Sequence, residues 1–224
     1  MTKNKLDRFA ENKTFPHLFQ PTFEDLQSGL ELKGHWQDFF GNSNPIILEL
    51  GCGKGEYTVA LANRYPQNNY IGIDIKGARI WRGAKTSFEN GNKNVAFLRM
   101  RIDSILKAFN PQEISGIWIT FPDPQPQKAR KRLTSPMFLN RYEQLLRPDS
   151  IIHLKTDSLA FFEFTLQTVA NEGHHLLMHT FDLYNNHLNE DVMLTQTHYE
   201  KLFLAQNIPI KYLRFKLTQK DEKV

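Results

Sequence analysis

The chain of 224 residues contains a single cysteine, Cys52. One thiol cannot form an internal disulfide framework or supply a zinc cluster by itself, and such sparing use suits a reducing compartment. His174, His175 and His179 lie close together in sequence, but their spacing is typical of a strand and no cysteine pair lies nearby. Since a zinc site needs three or four ligands of defined spacing, we predict no metal site.

Long apolar runs are also missing. No stretch approaches the roughly 18 residues that a membrane-spanning helix requires. The basic N-terminus is not followed by the apolar segment of a signal peptide. We therefore expect a cytoplasmic protein without a membrane partner.

Positive charge exceeds negative charge only modestly, with a net charge of +4. The basic residues occur in three groups: Lys3, Lys5, Arg8 and Lys13; Lys76, Arg79, Arg82 and Lys85; and Lys128, Arg130, Lys131 and Arg132. The first and third groups suit contacts with nucleic-acid phosphates, which supply most sequence-independent affinity. The second group is spaced three apart on a predicted helix, and a solvated helix face explains it equally well.

A glycine-rich loop follows the first apolar run. The run Ile46–Leu50 leads into Gly51, Cys52, Gly53, Lys54 and Gly55, where Cys52 is best explained as a small apolar filler. A second apolar run ends at Asp74, about 20 residues after the first glycine, which is the distance at which nucleotide folds place a ribose-binding acid. The spacing favours a nucleotide-type cofactor, with a simple chain turn as the alternative.

The cofactor type is indicated by a departure from the dinucleotide motif G-x-G-x-x-G/A. That motif ends in a small residue, which lets the first helix approach the strand near a pyrophosphate. Here the position holds Glu56, and Glu49 stands just before the loop. Acids repel a pyrophosphate and suit a cationic ligand, so S-adenosylmethionine fits better and a nicotinamide dehydrogenase becomes the weaker alternative.

A second motif places an acid between two prolines. The apolar run Ile117–Phe121 ends in Pro122, Asp123 and Pro124. Each proline fixes its φ angle and lacks a backbone donor, so Asp123 should lie on a stiff turn at a strand tip. This arrangement favours a catalytic acid, while a purely structural turn is the alternative.

Together with two later segments, these motifs resemble the bacterial tRNA (guanine-N7)-methyltransferases over about Phe15 to Leu217. The later segments are Lys155-Thr156-Asp157 and Thr197-His198-Tyr199-Glu200. The resemblance implies one catalytic residue, Asp123. It implies a cofactor-binding set of Glu49, Gly51, Gly53, Gly55, Asp74 and Asp103. It implies a substrate-binding set of Lys128, Asp157, Thr197, His198, Tyr199 and Glu200.

The implied reaction transfers the methyl group of S-adenosylmethionine to N7 of a guanosine at position 46, in the variable loop of tRNA. The partner would be tRNA, and the enzyme would be a monomer or homodimer. A methyltransferase acting on an exocyclic amine of RNA would use a similar acid-proline turn. A non-catalytic RNA-binding protein is the other alternative, although it has no need for the glycine loop together with Asp74.

Two residues depart from the family's usual pattern after the catalytic turn. Gln125 replaces a common tryptophan, and Gln127 stands where a substrate-contacting lysine is usual. Lys128 is the nearest cation. We assign the role of that lysine to Lys128, with Gln127 as the alternative.

Alternating elements predict an α/β fold, a doubly wound and mostly parallel sheet. The resemblance adds a single-domain Rossmann-like class I methyltransferase with an antiparallel last strand, over residues 15–224, after a flexible basic arm at 1–14. Strands are predicted near Ile46–Leu50, Tyr70–Asp74, Val95–Met100, Ile114–Phe121, Ile151–Lys155, Leu176–Phe181 and Ile208–Leu217. Helices are predicted from Thr22 to about Phe40 and at Tyr57–Arg64, Ala78–Asn90, Ser104–Phe109, Pro136–Leu146, Ser158–Glu172 and His198–Gln206.

Overall fold

The computed structural model describes residues 4–186 and 190–218, and within them eight strands form one sheet. The elements in chain order are α1 (Lys5–Asn12), β1 (Leu18–Phe19), α2 (Phe23–Ser28), α3 (Trp36–Phe40), β2 (Ile46–Leu50), α4 (Glu56–Arg64), β3 (Asn69–Asp74), α5 (Gly77–Glu89), β4 (Val95–Arg99), β5 (Ile114–Thr120), α6 (Pro136–Leu145), β6 (Leu146–Thr156), α7 (Leu159–Asn171), β7 (His175–Thr180), α8 (Glu190–Met193), α9 (His198–Ala205) and β8 (Lys211–Lys216). Short 3-10 helices lie at Ile102–Lys107 and Ala129–Lys131. No helix in this described part is long and apolar enough to cross a membrane.

The strand order is β1-β4-β3-β2-β5-β6-β8-β7. All neighbouring pairs are parallel except those of β8, which runs antiparallel to both β6 and β7. This confirms the predicted sheet with its reversed last strand. The order changes direction between β2 and β5, and ligands of open α/β sheets bind at the carboxyl ends of the strands at such a point.

Helices cover both faces of the sheet. Side chains alternate along each buried strand, so each strand packs against helices on both faces. Ile46, Leu48 and Leu50 of β2 point into a core formed with α3, α6 and α7. Tyr57 of α4 and Ile80 of α5 belong to a second core on the opposite face. Parallel strands that are covered on both faces read as nearly continuous apolar runs, which is why most strands could be predicted.

One long helix was predicted from Thr22 to about Phe40, and that prediction is wrong. Thr22 does cap a helix, through a reciprocal pair of hydrogen bonds with Asp25. The helix ends at Ser28, since Gly29 follows with a φ of 97°. The chain then turns before α3 begins at Trp36.

A flexible arm was predicted at 1–14, of which residues 1–3 lie outside the described residues; the described remainder contains a packed helix. Asn4 caps α1 in a capping box, and α1 lies along α5. The buried side chain of Asn12 donates a hydrogen bond to Gly77 O at 2.9 Å. Glu11 Oε2 accepts one from Trp81 Nε1 at 2.6 Å. These tertiary contacts fix α1 against α5, although the polar composition of the segment predicted a flexible arm.

The glycine-rich loop and α5 contact each other through backbone atoms. A Cβ atom on Gly83 would lie 2.8 Å from Lys54 O and 2.9 Å from Gly55 Cα. A Cβ on Gly55, whose φ is 68°, would lie 2.5 Å from Cε1 of Phe97. The close approach of helix and loop therefore requires glycine at both positions.

We predict that Gly83→Ala lowers the free energy of unfolding by about 1–2 kcal/mol, although alanine favours a helix by roughly 1 kcal/mol over glycine. The added methyl group would press on backbone atoms, which cannot move aside as a flexible side chain can. Urea denaturation measures the change, with Arg82→Ala on the exposed face of α5 as the control. A Gly83→Ala protein as stable as the parent would contradict the close contact.

Candidate active site

The glycine-rich loop after β2 is tied to the end of β3 by backbone hydrogen bonds. Gly51 N and Cys52 N both donate to Ile73 O, at 2.8 and 3.0 Å. Gly53 N donates to Asp74 Oδ2 at 3.0 Å, and Gly55 N donates to Cys52 O at 2.8 Å. These four donors are all used by acceptors of the protein itself, whereas a pyrophosphate-binding loop must offer its donors to the ligand. The loop therefore suits a cofactor without phosphates.

Asp74 holds the loop and also faces the cleft beside it. Its second oxygen, Oδ1, accepts a hydrogen bond from Lys76 N at 2.8 Å. The side chain is half-buried and lines the cleft. A carboxylate has about four lone-pair sites, so Asp74 retains the capacity to accept hydrogen bonds from a ligand hydroxyl.

Glu49 lies beneath the loop, between β5 and α4, and is only 2% exposed. Oε1 accepts a hydrogen bond from the hydroxyl of Thr120 at 2.6 Å, and Oε2 accepts one from the hydroxyl of Thr58. Burial raises the pKa of Glu49 to about 7, although the two threonine hydroxyls oppose the shift. A carboxyl group with this pKa gains or loses a proton near neutral pH.

The carboxyl ends of β2, β3 and β5 open into a cleft of about 430 Å³, within the usual range of ligand sites. Five predicted site residues line it: Gly51, Asp74, Asp103, Asp123 and Lys128. A smaller adjoining pocket of about 70 Å³ is lined by four more of them: Glu49, Gly53, Thr197 and Tyr199. Gly51 and Phe121 line both spaces, so the residues assigned to the cofactor and to the substrate lie side by side.

Asp123 is exposed at the mouth of this cleft. Phe121 N donates to Lys155 O at 2.8 Å, which continues the pairing of β5 with β6 up to the turn. Asp123 Oδ1 accepts a hydrogen bond from Gln125 N at 3.0 Å. Phe121 and Gln125 have positive φ angles of 48° and 44°. Such uncommon conformations cluster at functional sites, where the surrounding structure maintains them.

The basic group after the turn divides into two kinds of side chain. Lys128 and Lys131 line the cleft, and Arg130 is exposed nearby. Arg132 instead donates to Pro124 O at 3.0 Å and covers the ring of Phe164 at 4.5 Å. Arg132 therefore stabilises the turn, while the other three cations are available to a partner.

The Thr197–Glu200 segment forms a capping box at the start of α9. The carboxylate of Glu200 is fully buried, and its Oε1 lies 2.6 Å from Lys155 Nζ and accepts a hydrogen bond from the Tyr184 hydroxyl at 2.7 Å. Burial lowers the pKa of Lys155, and the charge of Glu200 opposes that shift. Glu200 is thus occupied inside the protein and positions the segment, whereas Tyr199, 43% exposed, faces outward.

Asp103 and Asp157 lie in less enclosed surroundings. Asp103 is exposed in the 3-10 helix after β4, where its Oδ2 lies 3.5 Å from Arg101 Nη2, at the edge of the cleft. Asp157 follows β6 and is half-buried, and its backbone carbonyl accepts a hydrogen bond from Lys211 Nζ at 2.9 Å. Asp157, His198 and Gly55 do not line the two spaces described above. Within the described residues, no group of three or more His, Cys, Asp or Glu side chains could hold a metal ion.

Four residues of this site were not assigned a role in it from the sequence, although Lys155 belongs to one of the segments that carry the resemblance. Thr58 and Thr120 bind Glu49, Lys155 pairs with Glu200, and Arg79 lines both the cleft and the adjoining pocket. The threonines carry no recognisable spacing signal. Arg79 belongs to the basic group of Lys76, Arg79, Arg82 and Lys85, for which a solvated face was an equal explanation. Lys76 also lines the cleft, so the positions of Lys76 and Arg79 favour a role at the site for these two members.

Residues 43–213 match a family model described as a putative methyltransferase. A protein of Christiangramia forsetii named tRNA (guanine-N(7)-)-methyltransferase is 51% identical to this chain, over 96% of this chain and 99% of that protein. A protein of the same name from Bacteroides thetaiotaomicron is 47% identical, over 98% and 88%. One from Clostridium novyi is 37% identical, over 88% and 92%.

Solved structures with the same fold include the 16S rRNA methyltransferase KamB, with a TM-score of 0.64 and 13% identity over 83% of this chain and 93% of that chain. An antibiotic-related methyltransferase has a TM-score of 0.60 and 19% identity over 81% and 92%. At such low identities, these similarities establish the class I methyltransferase fold alone.

We predict that Glu49→Gln removes a pH-dependent loss of stability. The folded-state pKa of Glu49, about 7, lies above its ordinary value of 4.5, so ionisation destabilises the folded state as the pH rises between these values. The free energy of unfolding of the parent should fall by roughly 2–4 kcal/mol relative to Glu49→Gln between pH 5 and pH 8. Denaturant titrations at both pH values measure it, with exposed Glu163→Gln as the control. A constant difference between Glu49→Gln and the parent would contradict the raised pKa.

Proposed function

The chain belongs to the tRNA (guanine-N7)-methyltransferase family, and from that membership we propose that it methylates N7 of a guanosine at position 46, in the variable loop of tRNA. It is an S-adenosylmethionine-dependent enzyme. The observation that carries the site assignment is the convergence of the glycine-rich loop, Asp74 and Asp123 on one cleft. Because tRNA is its substrate, we also propose that it acts in the cytoplasm.

The residues around the loop are suited to an S-adenosylmethionine cofactor, which supplies a methyl group on a positively charged sulfur. Asp74 would accept hydrogen bonds from the ribose hydroxyls, because it faces the cleft and keeps spare acceptor sites. Asp103 would bind the adenine at the open edge of the cleft. Glu49 and the loop glycines would bind the amino-acid end, where negative charge beneath the loop favours an ammonium group.

Guanine N7 carries an unshared electron pair and no proton, so the enzyme needs no general base before the methyl transfer. Positioning should then dominate, and it can contribute roughly 7–11 kcal/mol in well-oriented reactions. The carboxylate of Asp123 would accept hydrogen bonds from the guanine N1 and N2 edge, or offset the positive charge that develops on the purine. Its exposed place on a stiff turn suits either form of this electrostatic role.

The target base must leave its stack to reach the cleft. Tyr199 offers an exposed ring beside the cofactor loop, on which a base can stack. Thr197, His198 and Asp157 would contact the nucleoside around it, and Glu200 would hold this segment from inside the protein. Lys128, which lines the larger cleft, would bind a phosphate or the guanosine.

We predict that Asp123→Asn lowers the single-turnover rate of methylation by about 10²–10³-fold while cofactor and tRNA affinities stay near those of the parent. Asparagine keeps the shape and one acceptor oxygen but lacks the charge. Mass spectrometry of nucleosides from the treated tRNA measures 7-methylguanosine, with Asp38→Asn, an exposed acid on α3, as the control.

A fully active Asp123→Asn enzyme would contradict the catalytic role. A parent enzyme that produced an amine-methylated nucleoside instead would contradict the proposed reaction and support the exocyclic-amine alternative. Mapping the modified nucleotide within the tRNA tests the assignment to position 46 separately.

We predict that changing Lys128, Arg130 and Lys131 together to alanine weakens tRNA binding and reduces its salt slope by roughly 0.7–0.9 per lost phosphate contact. Arg132 stays unchanged because it stabilises the turn. Cofactor affinity should not change. The control replaces three cations at the opposite, amino-terminal edge of the sheet: Arg64, Lys93 and Arg147. If the salt slope of tRNA binding were unchanged in the first variant, these three cations would be solvent-exposed groups that make no phosphate contacts.

A further inference from the structure

Glu56 occupies the position at which dinucleotide-binding loops need a small residue. In this protein the close contact with neighbouring backbone is made one position earlier, by Gly55, whose Cα faces Gly83 and whose missing Cβ leaves room for Phe97. The first residue of α4 is therefore free to carry a side chain. The side chain that it carries is charged and exposed.

The carboxylate of Glu56 reaches a distant part of the chain. Its Oε2 accepts a hydrogen bond from His198 N at 2.9 Å, across 142 positions of sequence. His198 is the first residue of α9, immediately after Thr197. The loop assigned to the cofactor is thus bonded directly to the segment assigned to the guanosine.

The electrostatic setting strengthens this hydrogen bond. Glu56 is in the first turn of α4, and its carboxylate meets the first turn of α9, so the partial positive charges of two helix N-termini act on one anion. A hydrogen bond to an ionised carboxylate is shorter and stronger than one between neutral groups. Removal of the charge should therefore weaken the link measurably.

The segment at the other end of the link is held together as one unit. The first turn of α9 is fixed by its capping box, and Glu200 in that turn is paired with the buried Lys155 of β6. Lys155 Nζ also donates to Val192 O and Thr195 O, at 3.1 and 3.2 Å, on the approach to α9. A displacement of Glu56 would therefore move Thr197 and Tyr199 as one unit.

We propose that Glu56 is a positioning residue that couples the cofactor loop to the Thr197–Glu200 segment, so that cofactor binding orders the surface that receives the guanosine. The proposal rests on the proposed function, since it takes the loop as the cofactor site and the segment as the substrate site. By thermodynamic linkage, tRNA binding must then strengthen cofactor binding by the same factor.

Hydrogen exchange with S-adenosylhomocysteine as the probe tests the link without any RNA. In the parent, the probe should slow amide exchange in peptides covering 51–60 and also in peptides covering 195–204. In Glu56→Ala the second effect should be lost while the first remains, and Glu56→Gln, which keeps an acceptor oxygen, should lie between them. Glu24→Ala removes another exposed first-turn glutamate, on α2, and should behave as the parent does.

Slowed exchange over 195–204 in Glu56→Ala equal to that in the parent would overturn the proposal. So would a parent in which only peptides 51–60 respond. Because these measurements need no tRNA, their failure would leave the proposed reaction standing, whereas failure of the reaction would leave the link intact.

The ratio of tRNA dissociation constants without and with saturating S-adenosylhomocysteine measures the same coupling at the substrate side. We expect about fivefold or more in the parent, the lower end of typical couplings, and a ratio near one in Glu56→Ala. Equal ratios in the two proteins would count against the proposal even if both bound tRNA well.

Discussion

The hydrogen bonds between the glycine-rich loop and the end of β3 are the constraint on which the site depends. They use the donors of Gly51 and Cys52 on Ile73 O and that of Gly53 on Asp74. The loop cannot then present those donors to phosphates, and Asp74 is held at the carboxyl edge of the sheet. The shape of the loop and the position of Asp74 in the cleft both follow from this one connection between neighbouring strands.

Charges of both signs line the same cleft. Asp74, Asp103 and Asp123 place negative charge there, and Lys128 and Lys131 place positive charge there. The acids suit a cationic cofactor and a purine that becomes positive during the reaction, while the lysines suit a polyanion.

The sequence predicted the sheet well, because strands covered on both faces are apolar along their whole length. The predicted starts of two helices, at Thr22 and His198, are also found, because a threonine caps each helix. The failures have physical reasons. The break after Ser28 depends on the conformation of Gly29, and the packing of α1 depends on contacts with α5 that no local pattern contains.

The candidate site was predictable where a residue type had a reason to occur at a strand tip, as with Asp74 and Asp123. Side chains that act on those residues from other elements were not predictable. Thr58 and Thr120 meet at Glu49 from a helix and a strand, and Glu56 reaches His198 across the fold. These partners are brought together by the tertiary structure, so the spacing of residues along the chain cannot predict them.

The buried pair of Lys155 and Glu200 has an evolutionary consequence. Both side chains are inaccessible to water, so loss of either would leave an uncompensated charge in the interior, at a cost of about 3–5 kcal/mol. An apolar pair of similar volume could be equally stable, but reaching it takes two substitutions. Whichever substitution comes first leaves the other charge unpaired in the interior. Positions 155 and 200 are therefore epistatic: the effect of a substitution at one depends on the residue at the other. A lineage that acquired this ion pair cannot lose it through a single substitution without a large loss of stability.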